Sequence, residues 1–284
     1  SPAPVDVIGG ETMSNQGDTD MSNLLRNVIP SYNVNDQPIS DAATLVRPAN
    51  LRGLAPDHTL MLVNGKRRHR ASVITWLGNG ISNGSQGPDA AAIPGAALKR
   101  IEVLRDGASA QYGSDAIAGV MNFVLNDSAE GGSLEVRYGE YKEGDGEQVT
   151  IAGNIGLPLG DNGFLNLTAE WGESDPTSRS EQRGDAQTLI DNGYQDVPAP
   201  AMIWDRPIVN DDMKLWANFG MDLSDTLTLY GHANYNSKEV DGGFFFRNPT
   251  NRGAVYSGDG GETLLVGDLT PNDGQGCPVV ALGG

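Results

Sequence analysis

The sequence is short of cysteine, of positive charge, of histidine and of long apolar runs. Its one cysteine is Cys277, followed by Pro278. A lone cysteine closes no internal disulfide, so no cross-linked scaffold holds the chain, and the proline puts the thiol in a loop. Lysine and arginine total 19 against 37 aspartates and glutamates, for a formal net charge of -18. A nucleic-acid partner needs a basic footprint, so that class is excluded. The three histidines, His58, His69 and His232, are scattered along the chain. They make no metal-ligand spacing, and no G-x-S-x-G nucleophile motif is present. No catalytic residue, resident metal or cofactor is therefore expected. No stretch approaches the roughly 18 consecutive apolar residues of a membrane helix. No charged-then-apolar signal sequence opens the chain either. Ser1-Pro2-Ala3-Pro4 reads as the middle of something longer.

What is present is glycine, 38 residues of it, beside 16 prolines and a 38% hydrophobic fraction. That composition favours many short strands and turns over helix bundles. The length suits one or two domains.

The chain divides into two styles. The first half looks like a small folded domain. Val5 to Ile8 is a short strand ended by Gly9-Gly10, and 20–28 reads as a helix capped by Thr19 or Asp20 and stopped by Pro30. Asn50 to Leu54 and Thr59 to Val63 read as strands, and Asn64-Gly65 is a strong turn signal. The loop 78–92 is rich in Gly, Asn and Ser, and 89–97 is expected to begin a short helix. Two more apolar strands, Arg100 to Leu104 and Gly119 to Leu125, flank a Gly- and Ala-rich crossing and close the domain near Asn126-Asp127.

Directly after the turn comes Lys66-Arg67-Arg68-His69-Arg70. The choice is between a solvated turn and a local anion-attracting surface. Arginine supplies a planar fork that matches carboxylate or phosphate.

From Ser133 the pattern has a strict period of two. Apolar rows such as Leu134/Val136/Tyr138, Leu165/Leu167/Ala169/Trp171 and Met213/Leu215/Ala217/Phe219/Met221 alternate with polar ones. Five such segments mean strands with one apolar and one polar face. The links are lopsided, with only Ser224-Asp225 at one place and a polar segment of about 173–210 at another. Short turns at one end and long loops at the other favour an outer-membrane barrel over a soluble β-sandwich or repeat, with Tyr138, Trp171 and Tyr235 placed as girdle aromatics. Five strands do not close a barrel, and an open edge is forbidden in a bilayer. The chain is therefore expected to continue past Gly284.

With the strands placed, three segments carry a resemblance. Leu51-Arg52-Gly53-Leu54, then Thr59 to Gly65, then Ile93-Pro94 with Lys99 to Gly107 and Gln111 to Phe123 together resemble the plug signature of TonB-dependent outer-membrane receptors. Two positions depart from the family pattern: Asp106-Gly107 stands where Gly-Pro is usual, and Ala118-Gly119 where Gly-Gly is usual. The resemblance implies an α+β plug domain over 1–128, followed over 129–284 by the first antiparallel transmembrane strands of a plugged barrel of about 22 strands.

The implied function is import of a scarce ligand across the outer membrane of a Gram-negative cell. The ligand is expected to be a ferric siderophore or similar chelate. Carbohydrate, cobalamin and peptide are alternatives within the class, and a soluble or surface-attached β-rich binding protein is the alternative outside it. Implied partners are TonB with its inner-membrane energising complex, the small-molecule ligand and outer-membrane lipid, with no nucleic acid. The segment after Gly65 maps to the plug apex, which makes Arg67, Arg68, His69, Arg70 and Trp76 ligand candidates. Arg52 and Arg105, with Glu102 between them, match plug residues that lock plug to wall. Gly53, Gly107, Gly113 and Gly119 are expected to be backbone requirements. A loop disulfide to a later cysteine is the expected fate of Cys277.

Overall fold

The computed structural model describes residues 5–16, 20–34, 46–47, 49–75, 80–105, 108–177, 179–193, 197–201, 206–242, 246, 248, 263–264 and 280–281. These fall into two compact units, 1–178 with 204–243, and 179–203 with 244–284.

The first unit begins with β1 (Val5–Gly9), which passes directly into a short helix α1 (Gly10–Ser14). The Gly9-Gly10 pair ends the strand as expected; the helix after it carries no sequence signal. Helix α2 (Met21–Val28) follows, and Asp20 caps it by accepting from the backbone N–H groups of Ser22 (2.9 Å) and Asn23 (3.2 Å). A carboxylate there satisfies two donors that the helix cannot. Short strands β2 (Tyr32–Val34) and β3 (Ala49–Leu51) pair with each other. The strand expected over 50–54 stops at Leu51, because Arg52 (φ 56) and Gly53 (φ 70) both take left-handed backbone.

Next come β4 (Thr59–Val63), β5 (Lys66–Arg67), β6 (Leu98–Leu104), a short helix α3 (Ala108–Tyr112) and β7 (Gly119–Leu125). They form one sheet in the order β1-β6-β7-β4-β5. All its pairings are antiparallel except β4 with β7. The helix expected to begin within 89–97 is absent. Pro94 precedes a single 3-10 turn, Gly95–Ala97, and β6 starts at once. The core is apolar and closed: Phe123, Ile101, Val103 and Met121 are fully buried, with Leu25 packed on them from α2. Each such side chain contributes about 1.5–3 kcal/mol by leaving water.

The wall follows at Gly132. Strands β8 (Gly132–Gly139), β9 (Gln148–Pro158), β10 (Gly163–Ser174), β11 (Ile208–Ser224) and β12 (Leu227–Asp241) form a second sheet of sequential antiparallel neighbours. These are the five segments of period two. Their short links, 159–162 and 225–226, lie at one end, and the links 140–147 and 175–207 lie at the other. The central register runs across the sheet, for example Asn154↔Thr168↔Trp216↔Asn234, and shifts only near the strand ends, at Gly172/Ser174, Asn210/Met213 and Asp222/Ser224. Along β11 the even residues Lys214, Trp216 and Asn218 are buried on the plug side and Gly220 is covered by Phe164 of β10, while Leu215 is exposed on the other face. Of the girdle candidates, Tyr138 and Trp171 lie near the long-loop ends of β8 and β10, and Tyr235 lies at the level of Leu215. No helix among the described residues is long and apolar enough to cross a membrane, which leaves crossing by strands untouched.

The second unit holds helix α4 (Gly184–Asp191) and a two-stranded pair, β13 (Thr263–Leu264) with β14 (Val280–Ala281). Asp185 at the start of α4 binds Arg183 and accepts from Asn248 at 3.2 Å. Both contacts hold the Asp185 carboxyl below the usual range, with Arg183 the larger cause. Cys277 lies outside the described residues.

Candidate functional site

The basic segment starts from a tight turn. Asn64 (φ 49) and Gly65 (φ 75) both occupy left-handed backbone, as a two-residue hairpin turn demands. The chain then returns along β4, with Lys66 opposite Val63 and Arg67 opposite Leu62, and the Arg68 N–H donates to the Met61 carbonyl at 2.9 Å. Strand geometry sends successive side chains to opposite sides. Asn64 donates to the Asn218 side chain at 3.0 Å, Lys66 lies 5.5 Å from the Tyr230 ring centroid, and Arg68 donates to Asn234 Oδ1 at 2.8 Å. All three partners are on the wall. Arg67 points the other way and pairs with Asp115 of the plug. The run of cations is thus divided between two faces.

The register fixes the direction of travel. Asn218 and Tyr230 lie toward the short-turn end of β11 and β12, and Asn234 lies further from it. From Gly65 to Arg70 the segment therefore climbs toward the long-loop end. Arg68 meets the wall at mid-strand and is half-buried, whereas His69 and Arg70 beyond it stand exposed. Burial pulls the Arg68 guanidinium below its ordinary pKa, and Asp89 opposes it. His69 is held below the ordinary histidine value by partial desolvation first and the Arg68 charge second, with Asp89 again opposing. Asp115 is held below the carboxylate range by its hydrogen bond to Arg67, and the charge of Arg70 adds to this.

These groups border a cleft of about 110 Å³ lined by Asp57, Arg67, Arg68, His69, Arg70 and Asp115, among others. That is below the roughly 300 Å³ at which pockets begin to enclose a drug-sized ligand. It suits one anionic arm of a ligand, a carboxylate or catecholate. Trp76 lies outside the described residues.

The other predicted residues fall elsewhere in the plug. Arg52 donates from Nη1 to the Arg105 carbonyl, and the Arg105 guanidinium pairs with Asp6 of β1. Glu102 accepts from Arg100 Nε at 2.7 Å and from Asn122 Nδ2 at 2.9 Å. Its carboxyl sits below the usual range, chiefly through Asn122, with burial opposing and Arg100 adding. Asn122 in turn accepts from the Gly65 N–H at 2.9 Å, which ties Glu102 to the base of the hairpin. Gly113 has φ 87. At Gly119 (φ 146) a Cβ would lie 2.6 Å from the Leu104 carbonyl oxygen, so no other residue fits without displacing β6. Gly107 lies outside the described residues.

A seam of charge between plug and wall escapes sequence reading. Lys214 of β11 and Glu170 of β10 pair at 2.7 Å with side chains only 8% exposed. Asp212 lies 3.6 Å from Lys214 and 3.4 Å from Lys238. On the plug side, Asp20 pairs with Arg47. Burial would raise the Asp20 carboxyl, but Arg47, Lys238, the Asn23 N–H and Lys214 together hold it below its ordinary value. The Asn218 amide completes the seam by donating to the Asn126 carbonyl at 2.8 Å. The only signal was the polar row of β11, in which an aromatic, Trp216, stands among Lys214 and Asn218.

A mixed α+β plug seated on the polar face of an outward-apolar antiparallel wall defines a class, that of plugged β-barrel receptors. Comparison with known proteins gives the family. Residues 1–120 match the family model of the TonB-dependent receptor plug domain. The ferrienterobactin receptor of Escherichia coli (strain K12) is 26% identical over 272 residues, 91% of this chain and 32% of that protein. A ferric enterobactin receptor of Pseudomonas aeruginosa is 30% identical over 149 residues, 50% of this chain and 19% of that one. A crystal structure of a variant of the Pseudomonas aeruginosa ferric enterobactin receptor, in complex with enterobactin, superposes with a TM-score of 0.61 at 21% identity. It covers 84% of this chain and 34% of that one, and at that identity it speaks to the fold alone. The chain thus spans about a third or less of the proteins it matches. Residues 1–120 thus carry a TonB-dependent receptor plug domain, and the strands that follow it are arranged as in receptors of that family.

Proposed function

We propose that this chain is the plug and first wall strands of an outer-membrane receptor that binds a ferric siderophore and imports it with energy relayed by TonB. The observation that carries the reading is the basic segment 67–70 running toward the long-loop end of the wall, past mid-strand contacts at Trp216 and Asn234, in a plug whose relatives are ferric enterobactin receptors. A ferric catecholate is a compact anion, and guanidinium groups in a half-enclosed cleft recognise it through charge-assisted hydrogen bonds. His69 and Arg70 supply exposed donors there, and Arg67 becomes available if an anionic ligand displaces Asp115. The plug ends at residue 128, between the last plug strand at Leu125 and the first wall strand at Gly132.

The same proposal includes the lock. Arg52, Arg105 and Glu102 form the plug's half of it, with Asp6 holding Arg105 until a wall carboxylate takes over. Arg105→Gln then keeps ligand binding and loses uptake; retained uptake removes the lock role.

The function itself is tested by titrating the full-length protein with a panel of ferric siderophores, sugars and cobalamin, followed by uptake with and without the inner-membrane proton gradient. Tight binding of a ferric chelate, with uptake that stops when the gradient is dissipated, is the expected result. Binding of sugars or cobalamin alone sinks the iron reading. Gradient-independent uptake sinks TonB coupling.

A further inference from the structure

Of the cations in the basic segment, Lys66 meets the wall at one ring, and Arg68 is held there by two contacts at once. Its guanidinium carbon lies 5.3 Å from the Trp216 ring centroid, while Nη1 donates to Asn234 Oδ1 at 2.8 Å. Trp216 is a wall residue, yet at 4% exposure it is part of the plug's own apolar core. Its indole N–H donates to the Ala92 carbonyl at 3.1 Å, in the plug turn that leads into β6. On the wall, His232 lies nearly parallel to the indole, with ring centroids 6.5 Å apart and planes 8° apart. One side chain therefore touches two separate plug segments and the neighbouring wall strand. A half-buried guanidinium over an indole face is the strongest form of the cation–π contact available to a protein, since Trp is the best acceptor and desolvation strengthens the attraction.

We infer that Arg68 is a positioning residue, a latch that closes on Trp216 and fixes the height of His69 and Arg70 at the open end. The inference rests on the proposed role of that segment in ligand binding, and it reassigns Arg68 from ligand contact to support. Strand alternation argues for it. Asn64, Lys66 and Arg68 all face the wall, so the latch is the top rung of a three-rung contact, and the residues that follow are the first to leave the wall. A guanidinium anchored by one N–H on Asn234 and stacked toward the indole is fixed in place, even with its other N–H groups uncommitted to these two partners. What it controls is where the next two side chains stand.

The test uses Arg68→Gln, Arg68→Lys, Trp216→Phe and the Gln/Phe double variant in the full-length protein. Amide hydrogen exchange is measured without ligand, and affinity is measured with radio-iron-labelled ferric enterobactin as the probe. Without ligand, Arg68→Gln and Trp216→Phe are expected to speed exchange at residues 66–71 equally, while amides of β6 and β7 stay protected and show that the plug has folded. With the probe, each is expected to lose about tenfold in affinity, the double variant no more than either single, and Arg68→Lys is expected to keep most of it. Unchanged exchange in Arg68→Gln overturns the latch, as does a loss on Arg68→Gln that Trp216→Phe does not share, because that marks Arg68 as a ligand contact. Faster exchange in a protein whose wild type does not bind the probe keeps the latch and removes ferric enterobactin as the ligand, so the two failures are distinct.

Discussion

In the plug sheet, β4 buries all five of its residues, and β7 leaves only Asn122 and Val124 part-exposed. In the wall, β8 turns Leu134, Val136 and Tyr138 outward, Leu134 being 78% exposed, while β10 and β11 bury Asn166, Thr168, Glu170, Lys214 and Asn218. Both sheets are built from β-branched, leucine and aromatic residues, and they obey opposite rules of burial. The plug sheet is solvated as a soluble protein is: its apolar side chains leave water together. The wall turns its apolar face outward, the arrangement that suits strands with a bilayer for solvent, and its polar face to the plug, which supplies the partners. The difference teaches that burial alone does not identify the core. In the wall, the buried side chains are mostly polar, with Trp216 and Ala152 as apolar exceptions, and each polar one must be paired.

That rule is broken most severely at the Lys214–Glu170 pair. Lys214→Met leaves the Glu170 carboxylate buried without its partner, and the expected loss is about 3–5 kcal/mol in denaturant unfolding. Adding Glu170→Leu removes the orphaned charge and is expected to restore most of it. A loss on the single variant that the double does not recover would show that the pair does more than neutralise itself.

The outward face is probed next. Leu167→Arg places a charge on the exposed row of β10, and in lipid it is expected to cost about 2–4 kcal/mol toward the bilayer midplane. In a soluble sheet the same exposed substitution stays within about 0.5 kcal/mol. Folding into vesicles, read against wild type, separates the two.

Two smaller effects lie on the plug side of the seam. Asp20 has its folded pKa held below the unfolded value. Its stabilisation is therefore complete above the unfolded pKa of about 3.9 and is lost as pH falls through the lower folded value. Asp20→Asn keeps the helix cap, costs about 1–2 kcal/mol at neutral pH, and flattens the acid limb of the stability curve below about pH 4. Asp89 behaves oppositely. Burial pushes its carboxyl up, against the Ala91 N–H, with the Asp20 charge adding to the rise. Its charged form thus costs stability at neutral pH, and that cost disappears as pH falls below the unfolded pKa. Asp89→Asn keeps an acceptor for the Ala91 N–H, at 2.9 Å in the native protein, and is expected to be neutral or about 0.5 kcal/mol stabilising at pH 7.

The legible features were those that act locally. Period two placed all five wall strands, Thr59 to Val63 read as a buried strand, Asp20 read as a cap, and Asn64-Gly65 read as a turn. What stayed hidden depends on partners far along the chain. Lys66 to Arg70 read as one basic patch because β5, only two residues long, owes its strand geometry to β4 and not to its own propensity. Once it is a strand, its side chains divide between Asp115 and the wall. Helix α1 follows Gly9-Gly10, a pair that signals only a stop. The contact of Arg105 with Asp6 spans 99 residues, and that of Lys214 with Glu170 spans 44. No window of sequence contains either.

Two tryptophans test the inside-out wall most directly. Trp171 lies on the outward row of β10, and Trp216 lies on the inward row of β11, buried against the plug. Single-tryptophan variants of the full-length protein, reconstituted in vesicles of brominated lipid, report which indole meets acyl chains. Strong quenching of Trp171 and none of Trp216 is the expected result. Equal quenching of both, or quenching of Trp216 alone, would contradict it.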